Sequence, residues 1–184
     1  MSDNAHDNKK SILSVKDMAY TAMFAALIAV CSIISIPIGT VPVTLQTFGV
    51  CLCAAMLGWK RGTLGVFIYI LIGAVGLPVF AGMKGGVGVL AGPTGGYIVG
   101  FLPAALIIGI AAQRFQRKAL PLTLSMILGI LACYLVGTVW FMLVTGTPVG
   151  ESLMLCVVPF LLPDAVKLAA AVILSNRLSK VVKL

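Results

Sequence analysis

Charge is scarce in this sequence. Of its 184 residues only 10% are charged, whereas a soluble domain carries about 25%. A chain that is also 60% hydrophobic, with a mean hydropathy of +1.13, has too little polar surface to face water on all sides. An ordinary soluble domain is therefore excluded. Histidine occurs once, as His6 in a polar stretch, so no histidine-based catalytic or metal centre can be assembled. The five cysteines (Cys31, Cys51, Cys53, Cys133 and Cys156) lie in apolar segments, and neither their odd number nor their spacing suggests a disulfide framework or a zinc site. Cys51 and Cys53, two residues apart, point to different faces of a helix, and all five read as small buried hydrophobes. No GxxxxGK[ST] phosphate loop exists, so the chain is not expected to hydrolyse ATP by itself. "GVGVLA" (86–91) imitates part of a dinucleotide fingerprint but lacks the strand and βαβ unit that would give it meaning. The apolar runs also lack the two-residue alternation of an outer-membrane barrel.

What remains is an all-α membrane protein, read as one domain (18–184) behind a polar tail (1–17). The tail, "MSDNAHDNKKSILSVKD", has no apolar core like that of a signal peptide, so the first apolar run is expected to stay as an anchor. Six apolar segments can be read, at 18–36, 44–58, 62–81, 95–112, 121–144 and 163–182. Each is near the ~20 residues that span a bilayer, the second noticeably short. Basic residues give direction. Lys9, Lys10 and Lys16 precede the first segment; Lys60 and Arg61 join the second and third; Arg114, Arg117 and Lys118 join the fourth and fifth; Arg177, Lys180 and Lys183 close the chain. The positive-inside rule makes that side cytoplasmic and predicts six transmembrane helices with both termini cytoplasmic. The net charge of +8 follows from this topology and from lipid headgroups, and gives no reason to expect a nucleic-acid partner.

The connections on the other side differ in composition. "PIGTVPV" (37–43) is short. "GLPVFAGMKGGVGVLAGPTGGY" (76–97) holds eight glycines and two prolines. Irregular backbone at membrane depth persists only where protein or a water-filled cavity satisfies its polar groups. This loop reads either as a flexible connector or as a pocket wall whose glycines let backbone approach a ligand. "TGTPVGESLMLCVVPFLL" (145–162) is broken by Pro148 and Pro159 and suggests a short interfacial or re-entrant helix. Pro163 suits the first position of the last helix. Asp164 would then lie in its first turn, favoured by the helix dipole, with Lys167 about 4.5 Å further along the same face.

An ionisable residue within a membrane segment is a candidate functional residue by default. Asp164 and Lys167 read either as a self-satisfied ion pair or as an acceptor beside a donor, a pattern that suits a neutral polar ring carrying N–H and C=O groups. Gln46, Lys84, Thr94, Tyr97 and Trp140 collect at the same depth. Singly they read as a cap, a solvated charge or aromatic-belt anchors; together with Asp164 they outline a small-molecule pocket. In the first segment Ala22 and Ala26 form one small-xxx-small pair and Ala25 and Ala29 another, suited to internal packing or to docking on another membrane subunit.

Five ordered stretches, "PVTLQTFGV" (42–50), "LGWKRG" (57–62), "GLPVFAG" (76–82), "GPTGGYIVGF" (92–101) and "PFLLPDAVKLA" (159–169), resemble BioY, the biotin-specific substrate-binding (S) component of energy-coupling factor (ECF) transporters. The sequence departs from the family pattern at Pro163, where relatives often have glycine, and at Lys84, where they often have a small or neutral polar residue. The resemblance implies a six-helix S-component fold in the bacterial cell membrane. It implies a non-enzymatic, cofactor-free role in which biotin is captured from outside. The transmembrane coupling subunit EcfT and two cytoplasmic ATPases would be its partners, and Ala22 and Ala26 would meet EcfT. On this reading Asp164 accepts from the ureido N–H groups, and Lys167 donates to the ureido oxygen or stabilises Asp164. Tyr97 and the glycine-loop backbone, including Gly85 and Gly86, line the remainder, with Lys84 near the tail carboxylate. An S component for another vitamin, such as thiamine or riboflavin, and a membrane assembly protein are the competing readings. An intramembrane enzyme is disfavoured by a single intramembrane carboxylate without histidine or metal ligands.

Overall fold

The computed structural model describes residues 14–37 and 41–181; His6 and most of the polar tail lie outside them. The elements in order are α1 (Val15–Ile33), a two-stranded antiparallel hairpin of β1 (Ser35–Ile36) and β2 (Val43–Thr44), α2 (Gln46–Ala74), α3 (Val87–Ala91), α4 (Gly95–Arg114), α5 (Ala119–Thr145), α6 (Val149–Cys156) and α7 (Val158–Val181). Among the described residues five stretches are long and apolar enough to cross a membrane: α1, α2, α4, α5 and the α6–α7 unit.

Two of the six segments read from the sequence fall in α2. The helix is broken at Gly58, whose φ of 75° and ψ of −174° belong to a region open essentially to glycine alone. Beyond the break the chain turns back on itself. A Cβ on Gly62 would stand 2.9 Å from the Cα of Ala54, and one on Gly65 would stand 3.2 Å from Cys53 Sγ. In a straight helix residues eight apart are separated by ~12 Å. The arm before the break (46–57) is therefore about 18 Å long and the arm after it (59–74) about 24 Å, both shorter than the ~30 Å apolar core of a bilayer. The second arm also stops earlier than the segment 62–81 predicts. Gly76, at φ 113°, and Pro78 turn the chain out of the helix, so residues 75–81 belong to the glycine loop.

The basic loops converge on the broken end of α2. Asp17 accepts from the Ser14 amide at 3.1 Å and pairs with Arg61 at 3.0 Å, which ties the start of α1 to the break. Arg117 donates to the Ala55 and Met56 carbonyls at 3.0 and 2.7 Å, capping the first arm from the α4–α5 connection. Small residues let the helices approach elsewhere: Gly100 of α4 meets Cys133 of α5, Gly109 meets Trp59, and Gly129 meets Ile108. The resulting core includes Ile28, Cys53, Ala55, Val66, Ile108, Met126 and Ala171, while Leu124, Leu128, Leu131 and Leu135 of α5 face outward where lipid would cover them. All five cysteines are buried and free, as read from the sequence.

The end of the chain departs from expectation. The short helix foreseen between 145 and 162 is present as α6, and α7 follows after the single non-helical residue Val157. Pro163, however, does not open the last helix. It lies inside α7, where it removes the bond its own N–H would make to the Pro159 carbonyl. Asp164 thus stands about 9 Å from the helix start, at ~1.5 Å per residue, beyond the first-turn dipole positions.

Candidate functional site

Opposite the basic loops, the structure holds a partly open cavity of about 130 Å³. The β1–β2 hairpin supplies Val41, Pro42 and Thr44, the first turn of α2 supplies Gln46 and Thr47, and the glycine loop supplies Phe80, Ala81 and Lys84. Tyr97 and Phe101 come from α4, Cys133 and Tyr134 from α5, Cys156 from α6, and Phe160, Asp164 and Lys167 from α7. The first arm of α2 is short, so its N-terminus reaches only partway from the basic end, and the cavity forms above it.

Asp164 and Lys167 lie on one face of α7, 4% and 7% exposed. Lys167 Nζ donates to Asp164 Oδ1 at 2.7 Å. Thr47 Oγ1 donates to the same oxygen at 3.1 Å, and Tyr134 donates to Oδ2 at 2.6 Å. Neighbours from α2 and α5 therefore do what the helix dipole cannot. Lys167 also reaches Thr47 Oγ1 at 3.4 Å. A carboxylate has about four acceptor positions and an ammonium three donors. Three of the former and two of the latter are engaged, so the pair, which lines the cavity, retains one acceptor and one donor.

Most of the sequence-predicted residues meet here. Asp164, Lys167, Tyr97, Lys84, Thr94 and Gln46 all line the cavity. Tyr97 is held by Thr138 Oγ1 at 3.1 Å and fits a slot that Gly137 leaves by having no side chain. Lys84 stands exposed at the rim and makes no ion pair among the described residues. Gln46 is engaged, with Nε2 donating to Tyr69 and Oε1 accepting from Thr44 Oγ1 at 3.4 Å. Three predicted residues do not line the cavity. Gly85 packs on the loop's own backbone at Leu77, and Gly86 precedes α3 with φ 97°, its N–H bonded to the Gly73 carbonyl at 2.7 Å. Trp140 donates from Nε1 to the Gly92 carbonyl at 3.0 Å and covers Gly96, bracing the loop from behind. Tyr134 and Thr47 were missed. Thr47 adjoins Gln46, a signal that could have marked it, whereas Tyr134 shares its apolar segment with Thr123, Ser125 and Thr138 and nothing local singles it out.

A sequence model of the BioY family matches residues 5–184, nearly the whole chain. The chain belongs to the BioY family. It is 41% identical to a probable biotin transporter BioY of Pyrococcus horikoshii, covering 90% of this chain and 98% of that one. It is 42% identical to the biotin transporter BioY of Thermotoga maritima, covering 90% and 97%. The fold matches the crystal structure of the S-component for biotin from an ECF-type ABC transporter, with a TM-score of 0.84 and 30% identity over 90% of this chain and 92% of that one. This BioY-family chain is accordingly a multi-pass membrane protein with the S-component fold.

Within that fold the alanines of α1 divide by exposure. Ala22 and Ala26 are exposed, whereas Ala25 is 3% exposed and faces the core. The one pair is open to a partner and the other is largely consumed by packing within this BioY-family bundle.

Proposed function

We propose that this chain is the biotin-binding S component of an ECF-type vitamin uptake transporter. The observation that carries the reading is the residual valence of the Asp164–Lys167 pair. One buried acceptor and one buried donor stand side by side in a partly open, mainly apolar cavity. The ureido ring of biotin presents N–H donors and a C=O acceptor, and its thiophane ring and valeryl chain suit the apolar walls of Phe80, Phe101 and Phe160. Asp164 accepts from a ureido N–H through its remaining acceptor position, and Lys167 both donates to the ureido oxygen and neutralises Asp164. Tyr97 and Thr94 border the ring, Gln46 shapes the wall, and Lys84 at the rim meets the tail carboxylate. Gly85, Gly86 and Trp140 serve by holding the glycine loop rather than by contact. Each charge-assisted hydrogen bond in such a site contributes about 1.5–3 kcal/mol.

The basic end faces the cytoplasm, both termini lie there, and the cavity opens outward. Ala22 and Ala26 present a flat exposed surface on which EcfT docks, and ATP is consumed by the two cytoplasmic ATPases bound to that subunit. Mass spectrometry of ligand released from mildly purified protein should find biotin; thiamine, riboflavin or no ligand would redirect or refute the reading. Calorimetric titration of Asp164→Asn and Lys167→Met should show biotin affinity reduced at least ~10-fold in each. Near-wild-type affinity in both would remove the assigned contacts.

A further inference from the structure

Tyr69, on the second arm of α2, does not line the cavity, yet segments that form its mouth end on its hydroxyl. Its side chain is 1% exposed. Gln46 Nε2 donates to it from the start of α2. Its own proton is shared between the Val79 carbonyl in the glycine loop, at 3.1 Å, and Ser32 Oγ at the end of α1, at 3.2 Å. Gln46 in turn holds Thr44 of β2. One oxygen thus joins the hairpin side of the mouth, the glycine loop and the end of α1.

The ring of Tyr69 has a second task. It meets the ring of Phe80 edge-on, with centroids 5.7 Å apart and planes at 83°. Phe80 is fully buried, lines the cavity and lies over Gly73, where there is no room for a Cβ. The Gly73 carbonyl also receives the Gly86 N–H. Between these two anchors, the mutual Phe80 and Lys84 amide bonds of 2.9 and 3.3 Å close a tight loop that carries Lys84 at its rim.

We propose that Tyr69 is a positioning residue for ligand retention: its hydroxyl ties Gln46 to the glycine loop at Val79, beside the Phe80 wall, and so narrows the mouth without touching the ligand. The inference rests on the biotin reading only for the choice of probe. If the hydroxyl is removed, the buried Gln46 amide loses its acceptor and the Val79 carbonyl loses its donor. Both groups regain partners most cheaply by moving the loop toward water, so the open mouth becomes more populated. The ion pair on α7 is unaffected, because no bond links it to Tyr69.

The test is Tyr69→Phe, which keeps the ring against Phe80, together with Gly73→Ala, which keeps the hydroxyl but denies Phe80 its slot. Hydrogen exchange on the ligand-free proteins in nanodiscs should show faster exchange confined to about residues 77–86, with α4 and α5 unchanged. Release of tritiated biotin in a chase should be about tenfold faster in each variant, the equivalent of one hydrogen bond, and association should be faster or unchanged, because an open mouth admits ligand as readily as it releases it. A purely structural role would lower thermal stability without faster loop exchange or faster release. Wild-type exchange in the loop together with wild-type release would overturn the proposal. So would faster release joined to slower association, the mark of a damaged pocket. If the wild-type protein binds no biotin, the proposed function fails, and the exchange comparison alone decides the role of Tyr69. If Tyr69→Phe does not fold, Gly73→Ala carries both measurements.

Discussion

Asp164 is accommodated inside an apolar chain because three side chains from three helices reach it. Removing a single partner from a buried pair leaves an uncompensated charge and costs about 3–5 kcal/mol, whereas removing both ends of the pair can be nearly neutral. Asp164→Asn and Lys167→Met should therefore each lower the melting temperature of the ligand-free protein. The Asp164→Asn/Lys167→Met double variant should recover most of that loss and still fail to bind biotin. Thermal unfolding and a binding titration on the same three samples check this. A double variant less stable than the sum of the singles would show that the pair supports the fold as well as the ligand. The two charges were legible in the sequence because they interrupt an apolar run. Their partners were not, since Thr47 and Tyr134 lie 117 and 30 residues from Asp164 and nothing local links them. Pro163 misled for a local reason. Proline is best tolerated at a helix start, but packing of α7 carries the helix through it.

The break in α2 is the element on which the site depends. It shortens the first arm, so Gln46 and Thr47 begin below the loop end and leave space above them. Gly58 holds a conformation other residues adopt only with strain, and a Cβ there would also run into the side chain of Gln113. Gly58→Ala should cost on the order of 1–3 kcal/mol of stability. Thermal unfolding should show the loss with little change in the affinity of the protein that remains folded. Unchanged stability would mean that the turn can be made another way. The six apolar segments anticipated this hairpin as two separate spans, because hydropathy registers apolar content and Lys60–Arg61 mark a polar point between them. The glycine loop was legible as special but not in its parts. Composition cannot separate Phe80 and Lys84, which line the cavity, from Gly85 and Gly86, which shape the backbone that carries them.

At the scale of the whole molecule, the basic loops gather at one end and the cavity opens toward the other. Because the five native cysteines are buried, single reporter cysteines should be read against a low background. Cys133 and Cys156 line the cavity, so labelling belongs in the presence of saturating biotin. In intact cells a membrane-impermeant maleimide should modify Glu151→Cys, at the exposed start of α6. It should modify Lys60→Cys, at the α2 break, only after permeabilisation. The reverse pattern would invert the topology and place the cavity on the cytoplasmic side in this conformation.

Composition alone made this chain a membrane protein. The position of its basic residues predicted an orientation, and motif order pointed to the BioY family. These properties are local: transfer of apolar residues into lipid, and the placement of charge, are set residue by residue along the chain. Which side chains face one another is not local. Only the tertiary structure brought Thr47 and Tyr134 onto Asp164, set Phe80 over Gly73, and joined the mouth through Tyr69. Buried polar groups must find partners wherever packing places them, and hydropathy does not record where that will be.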